Sequence, residues 1–389
     1  MSTRDAVIVA AVRTPVGKRN GSLASVHAVD LSAHVLRALV ERTGIDPAGV
    51  DDVVWGCVQQ VGQQAANIGR NAVLAAGWPE AVPATTIDRQ CGSSQQSVHF
   101  AAAGLISGQY DMVVAGGVEN MSAIPMGSPV KDPELFGSPV GPLLGERYPQ
   151  AFNQGLGAEM MAERWGFSRT VLDEYAALSH ERLAAAIDAG RFAGQIAPVA
   201  LADADGRAFA VDEGLRRGTS AETLANLRPA FKPDGTIHAG NASQISDGAA
   251  ALLMTTSEAA ARLGLAPLAR VHTAVVVGDD PVMMLGAPIP ATHKALARAG
   301  LSIGDIGTFE VNEAFAPVPL AWLAETGADP ARLNPDGGAI AIGHPLGASG
   351  ARLMTTLVHR MRDDGIRYGL QTMCEGGGMA NATVLELVH

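Results

Sequence analysis

The chain lacks the features that mark several large protein classes. Its three cysteines are too few and too scattered for a disulfide framework, which favours a reducing, cytoplasmic setting. No run of about 18 apolar residues is present, so we expect no membrane span. The first residues lack the apolar core of a signal peptide. A net charge of −11 argues against nucleic acid or an anionic membrane as a general partner.

The composition is that of a large globular protein. Hydrophobic residues make up 47% of the 389-residue chain, which is enough for a substantial core. At about 150 residues per domain, this length predicts two or three units. Because the charge balance excludes the large anionic partners, we expect a small-molecule substrate.

Three reactive side chains lie in glycine-rich turns. Cys91 belongs to Arg-Gln-Cys-Gly-Ser-Ser-Gln-Gln at 89–96, His344 to Gly-His-Pro-Leu-Gly-Ala-Ser-Gly at 343–350, and Cys374 to Met-Cys-Glu-Gly-Gly-Gly-Met at 373–379. Such turns expose a side chain to a ligand and leave backbone N–H groups free to donate hydrogen bonds. The pattern indicates a thiol nucleophile with a separate proton carrier. Cys57 has no such turn and is interpreted as a core residue.

Cys91 is predicted to lie at the start of a helix. Residues 83–88 are typical of a short buried strand, and 94–107 are typical of a helix that ends at Gly108. One face of this helix is apolar, with Val98, Ala102, Leu105 and Ile106. The positive potential at a helix N-terminus stabilises a thiolate, so we expect the pKa of the Cys91 thiol to be lowered from about 8.5.

A similar series of elements occurs twice along the chain, which predicts two similar α/β halves. The first series has strands at 6–12, 53–57, 83–88, 112–115 and 249–255, with helices at 31–42, 66–76 and 94–107. The second series has strands at 269–277, 308–311, 339–342, 369–373 and 381–388, with helices at 291–299, after Phe315 and after Gly347. Cys91, Asn312, His344 and Cys374 all fall at predicted strand ends, where ligands gather in open sheets.

The long gap before the last strand of the first half indicates an insertion. We predict an N-terminal half at 1–117 plus 246–268, an inserted loop domain at 118–245 and a C-terminal half at 269–389. The insertion begins with a Pro, Gly and Ser-rich stretch at 124–149 that is typical of irregular loop. Helices are predicted at 156–165 and 171–189.

These segments carry a family resemblance. Cys-Gly-Ser-Ser at 91–94, Gly-Asn-Ala-Ser at 240–243, Asn-Glu-Ala-Phe-Ala at 312–316, Gly-His-Pro-Leu-Gly at 343–347 and Cys-Glu-Gly-Gly-Gly at 374–378 together resemble the thiolases, over essentially the whole chain. The resemblance implies an α/β fold of two similar βαβαβαββ halves, packed as α/β/α/β/α layers with an inserted loop domain. It also implies an assembly of two or four identical subunits.

The resemblance implies a role for each candidate catalytic residue. Cys91 is acylated by a 3-ketoacyl-CoA, His344 takes its proton, and Cys374 protonates the departing acetyl unit. Asn312 holds a water that forms one oxyanion hole with His344, and the backbone N–H groups of Cys91 and Gly376 form the second.

Coenzyme A is implied as a co-substrate, with no tightly bound cofactor and no metal. The positions that match those lining the CoA path are Arg216, Thr223, Ala230, Phe231, Ser243, Met284, Ala314 and Phe315. A basic cluster in the inserted segment suits an anionic nucleotide phosphate; it comprises Arg216, Arg217, Arg228 and Lys232. The alternative interpretation of these four residues is a solvated face.

The sequence favours a degradative substrate. Asn153 and Gln154 stand where biosynthetic acetoacetyl-CoA thiolases carry a His-Met pair, and the segments 89–96 and 243–247 are similar to thiolases of fatty-acid or steroid breakdown. An acetoacetyl-CoA-forming acetyl-CoA acetyltransferase is an alternative. Ketoacyl synthases are a rival enzyme class. They resemble thiolases in fold but lack the second cysteine in a Cys-x-Gly-Gly-Gly turn. A non-catalytic acyl-CoA-binding or sterol-binding protein is a further alternative.

Overall fold

Strands and helices alternate along residues 4–201 and 208–388, which the computed structural model describes. The strands are β1 Val7–Arg13, β2 Gly17–Lys18, β3 Asp52–Gly56, β4 Ala84–Ile87, β5 Met112–Asn120, β6 Val199–Ala200, β7 Ala208–Phe209, β8 Ser246–Thr255, β9 Ala269–Gly278, β10 Thr308–Val311, β11 Tyr368–Glu375 and β12 Met379–Leu387. The helices are α1 Ala28–Thr43, α2 Ile68–Ala75, α3 Ser93–Ser107, α4 Pro133–Phe136, α5 Pro142–Arg147, α6 Gln154–Trp165, α7 Arg169–Asp188, α8 Ala221–Leu224, α9 Ser257–Leu263, α10 Pro288–Ala299, α11 Pro317–Thr326, α12 Ala339–Ile342 and α13 Leu346–Asp364.

One large mixed sheet contains strands from both halves of the chain. Its order is β10-β11-β12-β9-β1-β8-β5-β3-β4, with β2 paired to β8. Strand β3 is parallel to β4 and β5, β10 is parallel to β11, and the remaining neighbours are antiparallel. The two halves of the sheet meet between β1 and β9, where only Val7 with Arg270 and Ile8 with Ala269 are in register. The sheet therefore consists of two subsheets joined at a narrow seam.

Helices α3 and α13 form the central layer of the fold. They pack against each other, and α13 also contacts β5 and β8 of the first half and β10 and β11 of the second half. Helices α1 and α2 cover the outer face of the first half, and α10 and α11 cover the outer face of the second. This arrangement confirms the α/β/α/β/α layers expected from the sequence.

Most elements of the two series lie where the sequence predicts them, with ends shifted by a few residues. Helix α3 begins at Ser93 and ends at Ser107, and its capping residue Gly108 has a left-handed φ of 83°, which favours glycine at that position. Strand β5 is longer than predicted because it continues from Ala115 to Asn120, fully buried. Ile106 was predicted to face the core with the other apolar residues of α3, but it is 52% exposed.

The predicted strand at 339–342 is wrong, because this segment forms the helical turn α12. Ile342 donates to the Gly338 carbonyl at 2.8 Å, and the Gln244 amide donates to the Ile340 carbonyl at 2.8 Å. Four consecutive apolar residues fit a buried strand and a buried helical turn equally well, so periodicity could not separate the two. Consequently His344 follows a helical turn and not a strand. The predicted strand at 83–88 is only half-buried, as β4 at the edge of the sheet.

The inserted segment contains more helix than its composition suggested. Short helices α4 and α5 interrupt the stretch that was expected to be irregular loop, and α6 and α7 occupy the two predicted helical regions. Strands β6 and β7 form a separate two-stranded ribbon. No helix within the described ranges is long and apolar enough to cross a membrane.

Candidate active site

Cys91 lies in the turn between β4 and α3, two residues before the helix begins. Gln90 takes a left-handed φ of 48°, and the Cys91 side chain is buried, with 4% exposure. The N–H groups of Cys91 itself and of Gly376 and the side-chain amide of Gln154 lie close enough to the sulfur to favour its ionised form. The structure therefore places three donors around this thiol, two of which are the N–H groups named from the sequence.

Burial raises the pKa of the Cys91 thiol to about 12, and the nearby Glu375 carboxyl raises it further in the same direction. The expectation of a lowered pKa is therefore wrong. The three donors favour the thiolate, but removal from water penalises the charged form more strongly. A thiol with this pKa is protonated at neutral pH, so nucleophilic attack requires a base.

His344 lies in the loop between α12 and α13, with its ring fixed by one hydroxyl. The Ser349 hydroxyl donates to the Pro345 carbonyl at 2.8 Å and lies 2.6 Å from Nδ1 of His344. Because that hydroxyl has a single proton, it accepts from Nδ1, which must carry the ring hydrogen. Nε2 is therefore the basic nitrogen, and the Asn312 amide approaches it at 3.4 Å.

The imidazole of His344 is neutral at physiological pH. Burial lowers its pKa to about 3, and the positive charge of Arg352 acts in the same direction. A neutral ring with its lone pair on Nε2 is able to accept a proton within the site.

Asn312 directly follows β10, and its backbone N–H donates to the Thr372 carbonyl of β11 at 3.1 Å. Its side chain is buried, and within the described part of the chain Oδ1 has no hydrogen-bond partner. Its amide nitrogen faces His344. This arrangement leaves an oxygen that can bind a donor on a ligand or a water.

Cys374 lies near the end of β11, paired with Ala380 of β12, and is 1% exposed. Burial raises the pKa of this thiol, and the charges of Cys91 and Glu375 raise it further. The electrostatic influence of Cys91 places the two thiols in one site. Cys57, interpreted as a core residue, is fully buried in the hydrophobic core of the first half.

One buried carboxylate, Glu119 at the end of β5, ties together the loops that surround the site. It accepts from the N–H groups of Gly347, Val58 and Gln59 at 2.8, 3.0 and 3.0 Å, and from the Gln64 amide at 2.8 Å. It thereby connects the His344 loop to the end of β3. Sequence reasoning missed this residue, although a glutamate inside the apolar stretch 112–120 was a signal of a buried charge that needs partners.

Other contacts of the site were also missed. The backbone N–H of His344 donates to the Gln244 carbonyl at 3.1 Å, and Ser246 contacts the same N–H at 3.3 Å. Ser349 belongs to the glycine-rich segment around His344, but the sequence predicted no role for it. Gln154 was noted only as a departure from the biosynthetic pattern, and its contact with Cys91 needs the tertiary fold to become visible.

Several positions assigned to CoA come together near the start of α6. The Phe231 and Phe315 rings meet edge to face at 5.9 Å, and the Ser243 N–H donates to the Ala314 carbonyl at 2.9 Å. The Phe231 ring also packs against Gly155 of α6, where a Cβ would lie 2.0 Å from it. Two residues further on, Gly157 lies against the carbonyl of Met283, next to the buried Met284.

The remaining CoA positions lie on the surface of the inserted segment. Arg216 lines a cavity of about 330 Å³ together with His180. The Thr223 hydroxyl donates to the Ser220 carbonyl at 2.8 Å, and the Ala230 N–H donates to the Ile237 carbonyl at 2.9 Å.

The predicted basic cluster is partly neutralised. Arg217 forms an ion pair with Asp188 at 2.6 Å, so it is not a free cation, and the side chains of this pair are 55% and 62% exposed. Across residues 4–201 and 208–388, no group of three or more potential ligand side chains could hold a metal ion.

Comparison with known proteins defines the class of the chain. The fold and the sequence are those of acyl-transferring enzymes: the family model "Thiolase, N-terminal domain" matches residues 6–258, and "Thiolase, C-terminal domain" matches residues 265–387. The chain belongs to the thiolase family. The recognition made from the sequence motifs is thereby confirmed.

Relatives and a solved structure agree with this assignment. The chain is 52% identical to the steroid 3-ketoacyl-CoA thiolase FadA6 of Mycobacterium tuberculosis, over 98% of this chain and 94% of that protein. It is 46% identical to the 3-ketoacyl-CoA thiolase of Erwinia tasmaniensis, over 98% and 99% of the two chains. The crystal structure of the Bacillus anthracis acetyl-CoA acetyltransferase matches with a TM-score of 0.92 at 37% identity and covers 99% of both chains.

Proposed function

We propose that the protein cleaves 3-ketoacyl-CoA with free CoA, giving acetyl-CoA and a shortened acyl-CoA through an acyl-enzyme on Cys91. The observation that carries this proposal is the pair of buried thiols Cys91 and Cys374, whose charges act on each other, in a thiolase chain that also holds a buried, neutral His344. The high identity to two 3-ketoacyl-CoA thiolases supports the same reaction.

In the first half-reaction, Nε2 of His344 removes the Cys91 proton, and the thiolate attacks the 3-keto carbon. The tetrahedral alkoxide collapses, which breaks the bond between C2 and C3 and leaves the acyl group on sulfur. In this proposal the N–H groups of Cys91 and Gly376 stabilise the developing negative charge. Loss of one such donor typically costs about 3 to 4 kcal/mol of transition-state stabilisation.

Cys374 handles the protons on the acetyl side. Its S–H protonates the enolate of acetyl-CoA as that product leaves. The resulting Cys374 thiolate then takes the proton of incoming CoA, whose sulfur attacks the acyl group on Cys91. The Cys91 thiolate recovers its proton from the His344 imidazolium, and the enzyme returns to its starting state.

CoA is the co-substrate in this proposal, and the Phe231, Phe315 and Ser243 region is its binding path. The packing of Gly155 and Gly157 brings the start of α6 against this region, and Gln154 of the same turn reaches Cys91. A pantetheine arm along this route would end at the nucleophile. Arg216, in its surface cavity, is proposed to meet the nucleotide phosphates.

The substrate class is proposed to be degradative, from fatty acids or steroids, because the two curated relatives act on 3-ketoacyl-CoA and one of them is a steroid thiolase. Formation of acetoacetyl-CoA is the second candidate, favoured by the close structural match to an acetyl-CoA acetyltransferase. The proposed setting is the cytoplasm, since the reaction needs reduced thiols and all three cysteines are free in the structure.

Thiolysis rates of the purified protein test this proposal. We expect CoA-dependent cleavage of 3-ketoacyl-CoA, with medium-chain or steroid-derived substrates faster than acetoacetyl-CoA at one fixed CoA concentration. A preference for acetoacetyl-CoA would move the assignment to the second candidate. Turnover of malonyl thioesters, or ligand binding with no turnover of any substrate, would contradict the proposed reaction.

A further inference from the structure

The carboxyl group of Glu375 is an anomaly beside the reactive thiols. Glu375 ends β11 directly after Cys374 and is fully buried. Among the residues the structure describes, neither carboxyl oxygen has a hydrogen-bond partner. Burial of an unpaired carboxyl is costly, so its presence here needs a physical reason.

The carboxyl packs against the backbone that carries the nucleophile. A Cβ built on Gly92, the residue after Cys91, would lie 1.9 Å from Oε1 of Glu375 and 2.9 Å from Nδ2 of Asn381. A side chain at position 92 would therefore displace the carboxyl from the space that it occupies. Asn381 also donates to the Gly92 carbonyl at 3.2 Å, which ties the same turn to β12.

More unpartnered polar atoms surround this turn. Oδ1 of Asn381 and Nε of Arg89 are both buried without a partner in the described ranges, as are the two oxygens of Glu375. Arg89 does not pair with the carboxylate; its terminal nitrogen contacts the Met379 sulfur at 3.9 Å. A side chain that served packing alone would be apolar here, because an apolar group fills this space without the desolvation cost.

Four charged or titratable groups face the Glu375 carboxyl. Arg89 and Asp88 belong to the β4–α3 turn, as does Cys91, and Cys374 belongs to β11. Burial raises the pKa of Glu375 to about 8; Arg89 opposes this rise and Asp88 adds to it. When the carboxyl ionises, its negative charge raises the pKa of both thiols.

We propose that Glu375 is a positioning residue that controls how readily the Cys91 and Cys374 thiols ionise, since its neutral form permits a thiolate beside it and its ionised form suppresses one. This inference deepens the proposed function, because it assumes that these two thiols are the reacting pair. Glu375 itself acts only through the sulfurs and need not touch the substrate.

The test is the pH dependence of Cys91 alkylation by iodoacetamide, measured by peptide mapping without any substrate. Glu375→Gln removes the charge and keeps the shape. We expect its Cys91 to react about three to ten times faster than wild type above pH 8, which corresponds to a thiol pKa lowered by about 0.5 to 1 unit. Below pH 7 the wild-type carboxyl is neutral, and the two rates should converge.

Asp88→Asn is the matched control. It removes a neighbouring carboxylate and weakens the 2.6 Å contact between Asp88 and the Gln90 N–H, but Asp88 is not among the causes of the Cys91 shift. Its Cys91 should react as in wild type above pH 8 and no faster than wild type below it, because loss of the Asp88 charge lets Glu375 ionise at lower pH. An equal acceleration in Asp88→Asn would show that turn loosening causes the effect, and superimposable profiles of Glu375→Gln and wild type would also overturn the inference.

A second variant covers the case in which Glu375→Gln does not fold. Arg89→Gln removes the positive charge that opposes carboxyl protonation, so the carboxyl should stay neutral to higher pH and Cys91 should alkylate faster between about pH 7 and 8. No change in that interval would contradict the inference. Alkylation needs no thioester. If the protein failed to catalyse thiolysis, the proposed function would be rejected, but the alkylation rates would still test the role of Glu375.

Discussion

The tautomer of His344 depends on a single hydroxyl, that of Ser349. Since the Ser349 proton is committed to the Pro345 carbonyl, the hydroxyl can only accept from Nδ1. The lone pair is then held on Nε2, the nitrogen that faces Asn312. One buried hydroxyl thus decides which ring nitrogen can act as a base.

Ser349→Ala should lower kcat about 10- to 100-fold, equivalent to about 1.4 to 2.7 kcal/mol, with little change in KM. The reason is that both tautomers become accessible once the acceptor for Nδ1 is gone. Steady-state thiolysis kinetics provide the measurement. The control is Ser97→Ala, which removes a buried hydroxyl that donates only to the Ser93 carbonyl within α3. Equal kcat values for Ser349→Ala and wild type would contradict the tautomer argument.

The sequence was enough to select candidate reactive residues, but not to predict their ionisation. Glycine-rich turns after predicted strands were enough to select Cys91 and Cys374. The pKa of Cys91 depends instead on burial beneath loops from distant parts of the chain and on the carboxyl of Glu375. Neither is visible in local sequence. The helix N-terminus, taken alone, therefore predicted the wrong direction for the pKa shift of Cys91.

Among the elements, α3 was predicted well and α12 was not, for the same physical reason. The 15 residues of α3 contain enough helical turns for an apolar period and an end signal to be read. The four residues of α12 are all buried, and the turn is stabilised by distant groups such as Gln244 and Glu313. A short buried segment takes its conformation from tertiary contacts.

Helices α4 and α5 carry large apolar side chains that the single chain leaves uncovered. Leu135, Phe136 and Leu143 are 74%, 79% and 82% exposed. Exposed apolar groups clustered in one segment are typical of interfaces. We therefore propose that this segment contributes to contacts between copies of the chain, in a homodimer or homotetramer.

Light scattering checks this proposal. The chain has a mass of 40.0 kDa, and we expect at least twice that mass in solution. Phe136→Asp combined with Leu143→Asp should reduce the measured mass or increase dissociation on dilution, because two charges would have to be buried. A wild-type monomer would contradict the proposal. Leu263→Asp, at a 48% exposed position on α9, serves as a control that should leave the mass unchanged.

At the scale of the whole molecule, the proposed mechanism draws its residues from both halves of the chain. The first half supplies Cys91, and the second supplies Asn312, His344 and Cys374. The sheet joins the halves through only two residue pairs, so α3 and α13 carry most of the packing between them. Duplication of the fold was predictable from the repeated element order. Long-range contacts such as that of Glu119 on β5 with the N–H of Gly347 on α13 also join the two halves, and they could not be predicted from local sequence.

Covalent capture of the acyl group tests the central claim most directly. The protein should be incubated with a 3-ketoacyl-CoA in the absence of free CoA and analysed by intact mass and peptide mapping. We expect a mass increase equal to the shortened acyl group, located on Cys91, removed by added CoA and absent in Cys91→Ser. An adduct on any other residue, or one that persists in Cys91→Ser, would contradict the assignment of Cys91 as the nucleophile.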